Sequence, residues 1–295
     1  MISSVKTLLV AILLLLAVKT QAQHEISVEA GGGISTLSYD VLFGDQKNGW
    51  AGEFGAAYAF FFSPNFGIRS GINLSYYHAK ATLSNFSDSY DTFDGEEYFE
   101  FRYAIDRYEE KQYALYLNIP LMVQFQQGNR HKFYGAIGGK LGFPLLGKYK
   151  TTNNSFKTSG YYPSLNVELE EPAFMGFGTF SDMHEKNDFD LHVITMLSLE
   201  AGVKWQLSES FYLYTGAYFD YSLTNIVKNN FDKPLIKYNL DSPDRRFTIN
   251  GIPTSNYTDS NDKVLSLTEK IHPMAFGIKV RISTMLKNGR EQIAE

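Results

Sequence analysis

The sequence predicts an all-β fold: a transmembrane, eight-stranded antiparallel meander β-barrel with long extracellular loops. Three features carry that reading. Apolar and polar residues alternate with a period of two through eight segments, while helical periodicity is nearly lacking. The polar face of those segments is rich in glycine, which suits a crowded, narrow interior better than a solvated sheet face. Connections alternate between tight turns and long polar segments, the loop pattern of membrane-spanning barrels.

The chain opens MISSVKTLLVAILLLLAVKTQAQ. Lys6 precedes an apolar run, Leu8 to Val18, that is short for a transmembrane helix. Small residues around Thr20-Gln21-Ala22 place a cleavage after Ala22. Residues 1–22 are therefore expected to be a signal peptide, 23–286 the barrel and 287–295 a short tail. No later run is long and apolar enough for a spanning helix. There is no cysteine, so an exported chain of this length holds together by packing or by a membrane. A net charge of −5 speaks against a nucleic-acid partner.

The first segment, ISVEAGGGIS, sets Ile26, Val28 and Ile34 against Ser27, Glu29, Gly31 and Gly33. WAGEFGAAYAFFF sets Trp50, Phe54, Tyr58, Phe60 and Phe62 against Glu53. FGIRSGINLSYY sets Ile68, Ile72, Leu74 and Tyr76 against Arg69, Asn73 and Ser75. The fourth puts Tyr113, Leu115, Leu117, Ile119, Leu121, Val123 and Phe125 on one face, with Asn118, Pro120, Gln124 and Gln126 on the other. FYGAIGGKLGF opposes Phe133, Ile137 and Leu141 to Gly138 and Lys140. LHVITMLSLEAGVKW opposes Leu197, Leu199, Val203 and Trp205 to Ser198, Glu200 and Lys204. FYLYTGAYFDYSL opposes Phe211, Leu213 and Phe219 to Tyr214, Tyr218 and Asp220. PMAFGIKVRIS opposes Phe276, Ile278, Val280 and Ile282 to Gly277, Lys279 and Arg281.

Tight turns are expected at 63–65, 127–130 and 207–210. Long polar segments are expected at roughly 39–48, 83–111, 147–189 and 227–270. Aromatics gather at both ends of the strands. Phe62, Phe125, Phe133, Trp205 and Phe211 lie toward the short turns, and Trp50 and Tyr76 toward the long loops. Two aromatic girdles at interface depth are what a lipid-facing wall requires.

Alternation points Glu53, Arg69, Lys140, Glu200, Lys204, Asp220 and Lys279 inward, along with Glu29 and Arg281. Charges inside so narrow a barrel must pair. They are expected to form one interior network, read as a salt-bridged plug, or alternatively as the lining of a narrow path. The segment DSYDTFDGEEYFEFRYAIDRYEEK carries Asp91, Asp94 and Glu96, weak candidates for a metal site that lack EF-hand spacing. Its alternating YFEFRY part suggests a hairpin continuing beyond the membrane. The apolar stretch EEPAFMGFGTF, 170–180, is expected to fold over the barrel mouth rather than to touch lipid or bind a partner. Among the histidines only His192 has an inward position near the outer rim, and no nucleophile–base set is legible around it.

The stretch YLNIPLMVQF, a turn, and then FYGAIGGKLG resemble the outer-membrane β-barrel domain family of Bacteroidota, which includes PorT-like proteins of type IX secretion. Tyr116, Leu117, Ile119 and Pro120 carry the resemblance, together with the glycine-rich strand that follows. One departure is the final strand, VRISTML, which lacks a terminal aromatic. The resemblance implies an eight-stranded barrel in the outer membrane and no catalytic residues. A proline inside a strand marks an edge or a bulge. A closed barrel has no edge, so Pro120 is expected to leave a bulge or a broken ladder bond.

The function expected is non-enzymatic, structural or binding, exerted through the extracellular loops, with no cofactor. The alternatives are a PorT-like secretion component and a narrow small-solute channel. Expected partners are outer-membrane lipid and lipopolysaccharide, and envelope or secretion-system proteins.

Overall fold

The computed structural model describes residues 23–38, 43–227, 233–242, 244–259, 261–268 and 270–286. The expected signal peptide at 1–22 and tail at 287–295 lie outside the described residues. Eight long strands form one closed ring: β1 (Gln23–Ser38), β2 (Gly44–Phe61), β3 (Phe66–Phe93), β4 (Tyr98–Gly128), β5 (His131–Tyr162), β6 (Ile194–Gln206), β7 (Phe211–Ser222) and β8 (His272–Leu286). Each pairs antiparallel with its neighbours in the chain, and β1 closes the ring on β8. This is the meander barrel that the sequence predicts.

The period-two pattern becomes the wall. Ile26, Val28, Phe54, Ile72, Leu121, Ile137 and Ile282 are exposed on the outside, while Ser27, Glu29, Glu53, Asn73, Asn118 and Ser198 are buried inside. The short turns close on side chains that mimic backbone acceptors: Ser63 Oγ accepts from the Phe66 amide at 2.9 Å, and Ser208 Oγ from the Phe211 amide at 3.2 Å. Close strand approach explains part of the glycine. Gly33 sits opposite Gly277, and a Cβ on either would lie 2.1–2.2 Å from a carbonyl oxygen of the other strand.

Two of the expected long polar segments are largely strand. β3 continues to Phe93 and β4 starts at Tyr98, so only a tight turn separates them, and β5 runs on to Tyr162. Roughly 10 residues of strand suffice to cross a bilayer, so these three project far beyond it. The reason is a reversal of the alternation. Within the barrel, β4 points Gln126, Gln124 and Asn118 inward. Farther along, the same inward face carries Tyr108, Ile105, Tyr103, Phe101 and Phe99, all buried. The outward face changes in the opposite sense, from Val123, Leu121 and Ile119 to Glu100 and Arg102. Polarity reverses because the outside changes from hydrocarbon to water.

The inner face of this projecting sheet is covered by the later segments. Residues 233–234, 255–258 and 264–266 form a small three-stranded sheet, and 236–238 pair with 247–249. Ile226, Leu235, Ile236, Phe247, Ile249, Ile252, Leu267 and Ile271 pack there against Phe86, Phe99, Phe101 and Phe156. The expected loops are thus a folded cap whose apolar core is continuous with Tyr77, Tyr116 and Met196 inside the barrel. The stretch at 170–180 joins it: Phe177 is fully buried against Phe99 and Phe101, and Gly178–Ser181 pairs with β5.

Candidate functional site

The barrel lumen is filled in layers. In the middle, Arg69 of β3 reaches Glu200 of β6 at 2.7 Å and Glu29 of β1 at 3.6 Å. Lys279 of β8 lies 2.6 Å from Glu200 and 2.5 Å from Glu53 of β2. Lys140 of β5 lies 3.1 Å from Glu53 and 2.7 Å from Asp220 of β7. Glu53, Arg69, Lys140, Glu200, Asp220 and Lys279 are therefore joined through shared partners, all at least 94 % buried. Neutral donors extend the layer. Ser198 Oγ donates to Asp220 at 2.6 Å, and Asn118 Nδ2 donates to Asn73 and Ser75, each at 2.9 Å. Gly31 leaves the space the Glu53 side chain occupies, since a Cβ there would come within 2.9 Å of Glu53 Cγ.

Lys204, expected in the same network, belongs to a second group nearer the short turns. It pairs with Glu25 and sits over the Tyr212 ring at 4.1 Å. Tyr214 donates to Glu25 at 2.7 Å, and the Arg281 guanidinium lies 3.9 Å over the Tyr214 ring and donates to Gln124 at 3.1 Å. Glu25 escaped the sequence reading although it continues the alternation of Ser27 and Glu29.

An apolar layer closes the other end of the lumen. Tyr77 and Tyr116 meet edge to face at 6.5 Å, and Tyr77 donates to Met196 Sδ at 3.5 Å. Tyr116 donates to the His192 carbonyl at 3.0 Å. His192 itself is exposed, contrary to its expected inward position, because β6 starts only at Ile194. His78 is the buried histidine of the rim.

The remaining motif residues line the wall. Leu117 and Ile119 point outward, and Pro120 points inward opposite Lys140. The β3–β4 ladder lapses between the pairs Ser70–Leu121 and Asn73–Asn118 and resumes in the same register. The ladder thus lapses beside Pro120 without a bulge on that side, and Ser70 Oγ donates to the Pro120 carbonyl at 2.8 Å. Of the aromatics, Trp50 lies against Tyr76 with the rings tilted and their centroids 4.6 Å apart, on the outside of the long-loop end. Phe125, Phe133, Trp205 and Phe211 are exposed around the short-turn end, with Phe62 half-buried.

Above the apolar layer, β4 and β5 hold one cap segment. Glu110 is fully buried; its carboxylate accepts from the Ile252 amide at 3.0 Å, Gln112 Nε2 at 2.9 Å and the Tyr108 hydroxyl at 3.2 Å. Tyr149 of β5 donates to the Ile249 carbonyl at 3.1 Å, and Gly251 lies against its ring. The signal for Glu110 was its place in the inward series with Gln112 and Ala114.

Asp91, Asp94 and Glu96 do not converge. Asp94 Oδ1 accepts from the amides of Glu96 and Glu97 at 2.8 and 2.9 Å, and Oδ2 from the Tyr162 hydroxyl at 3.0 Å. It shapes the hairpin turn. Among the described residues no three His, Asp or Glu side chains gather as metal ligands. The cap also carries a polar groove of about 970 Å³, lined among others by Asp88, Arg102, Lys157, Glu168 and Asp259.

The family model described as outer membrane protein beta-barrel domain matches residues 21–228. No curated protein matches the chain. Among solved structures, the chain is similar to Neisserial surface protein A (8 % identity, 89 % of this chain and 99 % of that one, TM-score 0.35). It is also similar to the N-terminal β-barrel domain of Pseudomonas aeruginosa OprF (12 %, 89 % and 99 %, 0.29). A third is Ail, the attachment invasion locus protein of Yersinia pestis, in complex with a heparin analogue (14 %, 89 % and 99 %, 0.26).

Proposed function

The chain belongs to the outer membrane protein beta-barrel domain family and is an outer-membrane protein, and on that premise we propose that it is a non-enzymatic binding or structural element whose working surface is the extracellular cap. The observation that carries this reading is the division of labour along β3, β4 and β5. Below the reversal the barrel interior is cross-linked by buried ion pairs, and above it these three strands carry the cap, whose apolar core runs on into the barrel at Tyr77 and Tyr116. The barrel then serves as a sealed stem and the cap as the exposed surface. The outward apolar band suits lipid, and the partners proposed for the rim and cap are lipopolysaccharide and envelope proteins.

Two measurements test it. Refolded protein in planar bilayers should pass no steady ionic current, whereas regular single-channel steps would favour the narrow solute channel. A heat-modifiability gel on extracted membranes should show a compact band that shifts on boiling.

The YLNIPL motif favours a second, finer reading, a PorT-like component of type IX secretion. Tyr116 is placed to support the seal and Pro120 to adapt the wall, roles compatible with either reading. A deletion strain of a secreting host separates them. Loss of secretion supports the component role, and normal secretion removes it.

A further inference from the structure

Glu110 lies on the wrong side of the polarity reversal. Its neighbours along the inward face are apolar or neutral, and no salt bridge reaches it among the described residues. A buried carboxylate without a counter-charge is costly in its ionised form. Yet it makes a tertiary contact of consequence: it is the wall's acceptor for the Ile252 amide, in a cap segment held against the inner faces of β4 and β5. Two phenols complete the clasp. Tyr108 has Asn250 O within 3.3 Å as a second acceptor, and Tyr149 holds Ile249 O.

We propose that Glu110 is a proton-operated latch, fastening the 249–254 segment against β4 and β5 in acid medium and loosening it as the medium turns alkaline.

The titratable groups facing the carboxyl are Tyr108 from its own strand and Tyr149 from β5. Burial pushes the Tyr149 phenol up to about 12 and the Tyr108 phenol well above its usual range. Neither changes charge near neutrality. Burial also raises the Glu110 carboxyl, to about 7, against the pull of Gln112, the Ile252 amide and Tyr108. In an opened segment water reaches the carboxyl, which returns to its ordinary value of 4.5. The closed state then holds its proton more tightly than the open one. Closure is favoured below the lower value, weakens as pH rises between the two, and carries the full cost of a buried charge above the higher one. Between pH 5 and pH 8.5 the opening equilibrium constant should rise roughly a hundredfold.

The chain has no cysteine, so spin labels can be placed freely. Lys237→Cys on the cap and Lys150→Cys on β5 are both exposed positions. Double electron–electron resonance on the full refolded barrel should give one narrow distance at pH 5 and an added longer population at pH 8.5. Glu110→Gln keeps the shape and removes the titration, so it should stay narrow at both values. Tyr149→Phe leaves the carboxyl in place; it should raise the open population at both pH values and keep the pH response. A wild-type distribution identical at pH 5 and 8.5 overturns the latch, and so does an unchanged pH response in Glu110→Gln. If Glu110→Gln does not refold, the wild type and Tyr149→Phe still decide: the latch fails if either lacks the pH response.

Discussion

Arg69 and Glu200 meet at 2.7 Å although their strands, β3 and β6, share no ladder. The pair spans the lumen, and with Lys279 and Glu53 it ties together parts of the wall that backbone hydrogen bonds cannot connect.

Removing one partner strands the other. Glu200→Ala leaves Arg69 and Lys279 short of an acceptor and should cost about 3–5 kcal/mol. The readout is a lower temperature for loss of the compact band on a gel. Arg69→Met combined with Glu200→Leu should recover much of the loss, since an apolar pair of similar volume requires no desolvation of charge. A double variant as weak as the sum of the singles would show that the two residues act independently.

Gly33→Val should prevent closure of β1 on β8. The new Cβ would lie 2.1 Å from the Phe276 carbonyl oxygen, a backbone atom that cannot swing aside. Refolding trials should yield no heat-modifiable species. Gly52→Ala, where the nearest atom is the tip of Trp50 at 3.6 Å, should refold normally.

Pro120→Ala supplies an N–H where the β3–β4 ladder lapses. If proline alone causes the gap, the new amide should be slow to exchange with deuterium, with a stability change of less than about 1 kcal/mol. Fast exchange there would locate the cause in β3, around Gly71.

Tyr116→Phe removes the bond to the His192 carbonyl and should cost about 1 kcal/mol while the lumen stays closed. Tyr116→Ala with Tyr77→Ala removes the aromatic layer and should admit intermittent ionic current in a bilayer. Silence of that double variant would assign the seal to the charged layer or to the cap.

At the hairpin tip, burial raises the Asp94 carboxyl, but the Glu97 and Glu96 amides and the Tyr162 hydroxyl outweigh it and hold it below the usual range. A depressed folded value stabilises the turn above the unfolded value and is lost as pH falls through the folded one. Exchange protection of residues 96 and 97 should therefore persist at neutrality and fade only in strong acid. Asp94→Ala should abolish it at every pH.

The sequence by itself determined the barrel. A period of two, with apolar residues outward and glycine with polar residues inward, leaves no other economical arrangement for strands in hydrocarbon. It also placed Glu53, Arg69, Lys140, Glu200, Asp220 and Lys279 on the inner face, because strand geometry alone sets which face a residue takes. Only the tertiary structure decided which charges meet, since Arg69 reaches Glu200 across the lumen and Lys204 is drawn to Glu25 instead. Ring closure sets those distances, and local pattern does not encode them. The cap was the larger surprise. Apart from YFEFRY, whose alternation signalled the hairpin that β3 and β4 form, segments 83–111 and 147–189 read as polar loops because hydrophobic residues there face inward and polar ones outward, opposite to the membrane-spanning part. That reversal is visible at Phe99, Phe101 and Tyr103 only once the solvent outside the strand is known to have changed from lipid to water.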